Sequence, residues 1–167
     1  MRKMSVLVMG IAWVLMGCVS PENRDYTDPS TVTYEIEGTD EITDQTEVDQ
    51  AIAVIKENLA AAQDRDIERY VATIVSEARA DTRAELIPFF DTYELEHTIL
   101  GIKIADQQPE QMLIKVLLQT VALNQSSTAD HYRDHVSETH YTLVKEEQEW
   151  RIAESQVTEN EFIKQKQ

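Results

Sequence analysis

The sequence predicts an α+β fold in which helices pack on one face of a curved antiparallel sheet of about four strands. Between residues 46 and 90, apolar residues recur at three- and four-residue spacing, which is the period of an α-helix. After Tyr93 the apolar residues alternate with polar ones, which is the period of a β-strand. A run of helices followed by a run of strands is typical of the α+β class.

Three helices are predicted before the first strand. The first begins near Thr46, which can cap it, and the second begins near Asp66, whose carboxylate can accept hydrogen bonds from the amides that follow. The third covers residues 82–90, where we expect Pro88 to bend or end it because proline has no amide donor. The apolar stripes of the first two helices contain Val48, Ile52, Ile55, Leu59 and Ala62, and Ile67, Tyr70, Val71, Ile74 and Val75.

Four strands are predicted in the second half of the chain. In the first, residues 93–105, the apolar alternation changes phase at Gly101, which indicates a bulge or bend. The second, residues 111–124, has apolar residues on both parities and is therefore predicted to be a central strand with both faces buried over at least part of its length. The last two, residues 137–145 and 150–157, flank a charged turn and form a closing hairpin.

The N-terminus has the features of an export signal. A short basic segment precedes an apolar run over residues 5–16, and Leu15-Met16-Gly17-Cys18 places a small residue directly before the cysteine. The run is shorter than the roughly 20 residues that cross a bilayer, which favours a processed signal over a permanent span. The segment resembles the lipobox of bacterial lipoproteins, with Met16 bulkier than usual. The resemblance implies cleavage between Gly17 and Cys18 and a diacylglycerol on the Cys18 sulfur.

Three parts of the chain are therefore expected. Residues 1–17 are a lipoprotein signal peptide, residues 18–45 are the lipidated cysteine and a flexible acidic tether, and residues 46–167 are one domain. The tether contains too few apolar residues to offset its chain entropy, although the alternation at residues 31–36 leaves a docked strand as the alternative. We expect a lipid-anchored protein outside the cytoplasm, on the cell membrane or the outer membrane.

Composition limits the possible partners. Asp and Glu number 31 against 15 Lys and Arg, for a net charge of −16, which argues against binding nucleic acid because phosphates are bound by clustered cations. The acidic runs lack the Gly and the alternating ligands of a calcium loop and are interpreted as solvated surface. His131 and His135 share a face on a strand and His140 points the other way, without an identifiable third metal ligand. No metal and no cofactor are predicted.

The closing hairpin carries a resemblance to a known superfamily. Tyr132-Arg133-Asp134 leads into Tyr141-Thr142-Leu143-Val144-Lys145-Glu146, and Glu149-Trp150-Arg151-Ile152 follows the turn. Together with the order of elements over residues 46–162, this hairpin resembles the NTF2-like superfamily, also called cystatin-like or SnoaL-like, with Gln148 where Gly is common. The resemblance implies a cone-shaped cavity between sheet and helices and, frequently, a dimer packed sheet against sheet. It implies no single function.

Candidate site residues are those expected near the cone. Enzymes of the superfamily use a carboxylate or a His–Asp pair there as a general base, and no such pattern aligns with this chain. His97 shares strand parity with Tyr93 and Leu95, yet a lone His on an apolar face is more often structural. Large aromatic residues at such spacing are likewise more often core. The candidate pocket residues are Tyr70, Phe89, Phe90, His97 and Trp150.

The function predicted from the sequence is a membrane-anchored, non-catalytic module that binds a small apolar ligand in the cone or an envelope protein on the sheet. One alternative is an isomerase- or dehydratase-like enzyme that uses His97 or a carboxylate in the cone. Another is a purely structural homodimer with the sheet face as its interface, which the two apolar faces of residues 111–124 suggest. An enzyme needs an open pocket with a perturbed ionisable group, whereas a structural dimer can have a filled cone.

Overall fold

Helices precede strands in the structure, as the sequence predicts. The computed structural model describes residues 36–37, 42–125 and 132–163, so the predicted signal peptide and lipobox, including Gly17 and Cys18, lie outside the described residues. The elements are β1 (Ile36–Glu37), α1 (Gln45–Gln63), α2 (Ile67–Ala72), a 3-10 turn (Ser76–Ala78), α3 (Arg79–Thr92), β2 (Tyr93–Gln107), β3 (Gln111–Gln125), β4 (His135–Glu146) and β5 (Glu149–Phe162). Among the described helices, none is long and apolar enough to cross a membrane.

The sheet has the order β1-β2-β3-β4-β5. Strands β2 to β5 form an antiparallel meander, which confirms the predicted α+β class with helices on a four-stranded antiparallel sheet. The short β1 adds a fifth strand, which runs parallel to β2 and pairs Ile36 with Ile102 and Glu37 with Lys103. The backbone is thus paired with the sheet at these two residues. Residue 36 is the last residue of the range 31–36 for which a docked strand was the alternative to a flexible tether.

The helix starts show how local chemistry sets the boundaries. Helix α1 is capped by Asp44 and not by Thr46, because the Asp44 carboxylate accepts from the amides of Thr46 (3.0 Å) and Glu47 (3.3 Å). For α2 the prediction is confirmed: the Asp66 carboxylate accepts from the Arg69 amide at 3.1 Å. Both helices thus begin where a short acidic side chain satisfies amides that have no partner within the helix.

Helix α3 does not end at Pro88, which corrects that part of the prediction. It continues to Thr92, whose hydroxyl donates to the Pro88 carbonyl oxygen at 2.7 Å. Proline removes one intrahelical hydrogen bond, and the turn beyond it is held by Phe90, which is buried against the rest of the fold. Tertiary packing therefore overrides the local helix-breaking preference.

Strand curvature comes from bulges, as the Gly101 phase change predicts. The register between β2 and β3 shifts between Ile99 and Gly101, so Leu100 is the extra residue. A Cβ on Gly101 would lie 3.7 Å from the Leu117 Cβ, an ordinary contact, so the bulge does not require glycine. Further shifts within β2 and between β4 and β5 add to the twist.

The core lies between the sheet and α1. We call the sheet face toward the helices the inner face and the opposite one the outer face. On the inner face of β3, Met112, Ile114 and Val116 are fully buried and pack in one cluster with apolar residues of α1. On the outer face of β3, Leu113 and Leu117 are only half-buried, whereas Gln119 is buried. Strand β3 is therefore buried on both faces over part of its length only, and it is the central strand of the sheet. The helices pack on one side of the sheet only.

Candidate functional site

A row of side chains crosses the inner face of the sheet from β2 to β5. His97 on β2 pairs in register with Thr120 on β3, Thr120 pairs with His135 on β4, and His135 pairs with Phe162 on β5. Directly paired residues point to the same face of a sheet, so the four side chains lie side by side. His97 Nδ1 lies 3.2 Å from the Thr120 hydroxyl oxygen. The two histidines therefore belong to one inner-face site.

The electrostatics of this row keep His97 neutral at neutral pH. Burial is the main cause that lowers the His97 pKa from 6.5 to about 4, and the nearby His135 lowers it further. A general base works best when its pKa lies near the operating pH. His97 is consequently a weak proton acceptor where it stands.

Polar side chains of α1 and of the end of α2 are hydrogen-bonded to each other or to the backbone. The Asn58 amide donates to the Thr73 hydroxyl at 2.8 Å, and that hydroxyl donates to the Tyr70 carbonyl oxygen at 2.6 Å. Burial raises the pKa of the Tyr70 and Tyr141 phenols, so both are protonated at neutral pH. The Asn58 and Thr73 hydrogen bonds satisfy buried polar groups of α1 and of the end of α2.

Aromatic rings connect three of the predicted pocket residues. Tyr70 meets Phe90 edge-on at 6.4 Å between ring centroids, and Phe89 lies 6.1 Å from Phe90 and 5.3 Å from Tyr93. The series continues through Tyr132 to His135 at 5.4 and 5.7 Å, and so reaches the inner-face row. Phe90 is buried in the core, whereas Phe89 is 38% exposed. The structure thus brings Tyr70, Phe89 and Phe90 into contact with one another.

Trp150 makes a separate set of contacts. It is 2% exposed, and its indole N–H donates to a Glu47 carboxylate oxygen at 2.7 Å. The Lys145 ammonium lies 2.8 Å from the other Glu47 oxygen and 5.2 Å from the indole centroid. The hydrogen bond from Lys145 and then that from Trp150 lower the pKa of Glu47. These contacts join β4 and β5 to the start of α1, so Trp150 has a core role.

The two other histidines that the structure describes, His135 and His140, lie on opposite faces of the sheet. His135 lies on the inner face, while His140 pairs with Lys115 on the outer face and lies 2.6 Å from a Glu138 oxygen. His131 lies outside the described residues. Within residues 42–125 and 132–163, no three His, Cys, Asp or Glu side chains are close enough to hold a metal ion.

A groove of about 520 Å³ opens on the outer face of the sheet. Two half-buried apolar residues, Leu117 and Val136, line its middle. Two lysines line it from β2 and β3, and three glutamates line it from β4 and β5, which gives a cationic and an anionic side; these residues are Lys103, Lys115, Glu138, Glu159 and Glu161. We call it the outer groove. None of its lining residues was among the candidate pocket residues, although the second apolar parity of residues 111–124 had suggested an interface on the sheet.

Comparisons with known proteins identify the fold and a family. No curated protein matches the sequence. The family model described as the anti-sigma-I factor RsgI9, C-terminal domain, matches residues 53–163. Among solved structures, a Nostoc punctiforme protein of unknown function with a cystatin-like fold matches with a TM-score of 0.57 and 14% identity, over 68% of this chain and 91% of that one.

Two further structures of similar shape have names that refer to enzymes. A putative scytalone dehydratase from Novosphingobium aromaticivorans matches with a TM-score of 0.58 and 11% identity, over 70% of this chain and 87% of that one. A ketosteroid isomerase-like protein from Erwinia carotovora atroseptica matches with a TM-score of 0.56 and 12% identity, over 67% and 95%. At such identities the likeness shows the fold alone, and it confirms the predicted NTF2-like, cystatin-like architecture.

Proposed function

Because the chain belongs to the family of the anti-sigma-I factor RsgI9 C-terminal domain, we propose that it is a lipid-anchored, extracytoplasmic module that binds another protein and catalyses no reaction. The family takes its name from one domain of a regulatory protein rather than from an enzyme. The fold itself hosts many functions, so the choice among them depends on the sites of this chain.

The observation that carries the proposal is the position of the outer groove. It lies on the face of the sheet opposite to His97, and its lining includes both apolar and charged side chains. Binding sites combine an apolar surface with a few charged groups that fix orientation. In the inner-face row, His97 Nδ1 is instead paired with the Thr120 hydroxyl, and the pKa of His97 is about 4. Binding on the outer face is therefore better supported than catalysis in the cone.

The anchoring part of the proposal rests on the lipobox resemblance at Cys18. A domain of strong negative charge is repelled by an anionic bilayer, so attachment requires the lipid. Each buried methylene of an acyl chain contributes about 0.8 kcal/mol to membrane binding. A diacylated cysteine would hold the domain at the surface without contribution from the domain itself.

Cell fractionation tests the anchor. We expect the wild-type chain and a Ser20→Ala control in the membrane fraction, and Cys18→Ala in the soluble fraction or unprocessed. A Cys18→Ala chain that is processed normally and stays membrane-bound would contradict the lipid anchor.

Site-specific photo-crosslinking in intact cells tests the binding role. A photoreactive residue at position 159, in the outer groove, should give a discrete crosslinked protein, whereas one at position 85 on the exposed surface of α3 should not. Position 85 is a matched control because Glu85 and Glu159 are both exposed glutamates. Absence of crosslinks from several surface positions across both faces would reject the binding role.

The isomerase- or dehydratase-like alternative depends on His97. Its supporting observation is the placement of His97 on the inner face beside Thr120 and His135. A turnover assay on aromatic hydroxy-compounds and on ketosteroids, with His97→Asn as the comparison, decides it. Turnover that is lost in His97→Asn would replace the non-catalytic proposal with an enzyme.

A further inference from the structure

The outer groove has a pronounced charge asymmetry, and this asymmetry indicates what occupies it. We propose that the groove binds an extended, basic segment of a partner protein, with an apolar side chain on Leu117 and Val136 and cationic side chains at Glu159 and Glu161. This inference rests on the proposed protein-binding function and specifies its partner.

On the anionic side of the groove, one carboxylate is engaged and two are available to a partner. Glu138 is engaged by His140 at 2.6 Å and lies 3.8 Å from the Lys115 ammonium. Glu159 and Glu161 are exposed, and in the part of the chain that the structure describes neither side chain makes a hydrogen bond or an ion pair. A Lys or Arg side chain from a partner would meet two carboxylates that no described residue neutralises.

Strand β5 supplies a backbone edge next to these carboxylates. It is the last strand of the sheet and pairs only with β4 among the described strands. From residue 153 to residue 162 its side chains are exposed. An edge strand offers unpaired amide and carbonyl groups to an incoming extended segment. Strands are spaced about 4.8 Å apart, so a segment paired with this edge lies roughly 10 Å from β4 and roughly 14 Å from β3. The proposed segment therefore passes from this edge across the outer face, where it contacts Val136 and Leu117.

The middle of the groove offers apolar surface. Leu117 on β3 and Val136 on β4 are half-buried and line it. Covering such surface with an apolar side chain is favourable by roughly 25 cal/mol for each Å² removed from water. Apolar surface beside carboxylates matches a peptide rather than an ion.

Charge favours a basic partner over a second copy of the chain. Each copy carries a net charge of −16, so two copies repel each other before any contact is made. A basic segment is instead attracted over the same distance and arrives faster at low salt. The sequence and the groove thus favour the same class of partner.

Fluorescence anisotropy with a defined probe tests the inference. The full chain, purified in detergent, is titrated into a labelled Lys-Leu-Lys-Leu-Lys peptide with blocked ends. We expect binding that weakens about fivefold in E159Q/E161Q, since exposed ion pairs are individually modest. The control E77Q/E85Q removes the same charge from exposed sites outside the groove lining and outside β5, and it should bind like wild type. A Lys-Ser-Lys-Ser-Lys peptide should bind at least fivefold more weakly because it has no apolar side chains.

Three outcomes would overturn the inference. Equal weakening in E159Q/E161Q and in the control would mean general charge attraction. Equal binding of the leucine and serine peptides would show that the apolar contact with the groove contributes nothing to binding. A wild-type dimer in sedimentation that becomes monomeric in E159Q/E161Q would make a second copy the occupant. If the anisotropy experiment fails but crosslinking finds a partner on another face, the proposed binding function stands and only the basic segment in the groove is rejected. If both experiments fail, both proposals are rejected.

Discussion

His97 should make the stability of the domain fall as the pH is lowered from 6.5 to 4. Its side chain lies on the inner face beside Thr120, and burial, aided by His135, lowers its pKa to about 4 from 6.5. In the unfolded chain the imidazole regains its ordinary pKa. The perturbation is therefore a change of pH, applied to the wild-type chain and to His97→Asn, which keeps a polar group near the Thr120 hydroxyl.

The sign and the size follow from proton linkage. Between pH 6.5 and about 4 the unfolded chain binds a proton at His97 and the folded chain does not, so protonation favours unfolding. The contribution is fully present above pH 6.5 and decreases as the pH falls toward about 4. At roughly 1.4 kcal/mol for each pH unit, the difference between the two pKa values limits the loss to about 3 kcal/mol.

Urea unfolding followed by circular dichroism, at intervals between about pH 7.5 and about pH 4, measures this loss. The wild-type chain should lose more stability than His97→Asn, because only the wild-type chain takes up a proton at position 97 when it unfolds. Carboxylates with lowered pKa values, such as Glu68, titrate in both chains and cancel in the comparison. Identical pH dependence in wild type and His97→Asn would refute a neutral His97 in the folded chain.

Two further predictions concern the turn of the closing hairpin and the hydrogen bond that joins this hairpin to α1. Gln148 has a positive φ of 71°, in a two-residue turn that favours Gly. Gln148→Gly should therefore raise the free energy of unfolding by about 0.5–1 kcal/mol. An unchanged urea midpoint would contradict the turn geometry. Trp150→Phe removes the donor to Glu47 and should lower the free energy of unfolding by about 2 kcal/mol in the same urea assay. A loss under about 0.5 kcal/mol would show that this hydrogen bond contributes little.

Part of the fold could be predicted from the sequence because local chemistry sets it. The change of apolar period near Tyr93 separates helices from strands, and β3 and β4 begin within two residues of their predicted starts. Asp66 caps α2 and the bulge falls at Gly101, as predicted, because hydrogen-bonding capacity and strand phase are local properties. The resemblance of the closing hairpin, with the element order, also identified the superfamily fold.

Only the tertiary structure decided which residues form the candidate sites. His97, Thr120 and His135 become neighbours through strand register, and register is set by packing and by bulges that a periodic pattern does not fix. The same holds for the outer groove, where Leu117, Val136 and Glu159 come from three strands. The sequence determined which residues are apolar on each parity of β3, but burial of a face requires a second layer, and only the three-dimensional packing shows that the helices cover one face.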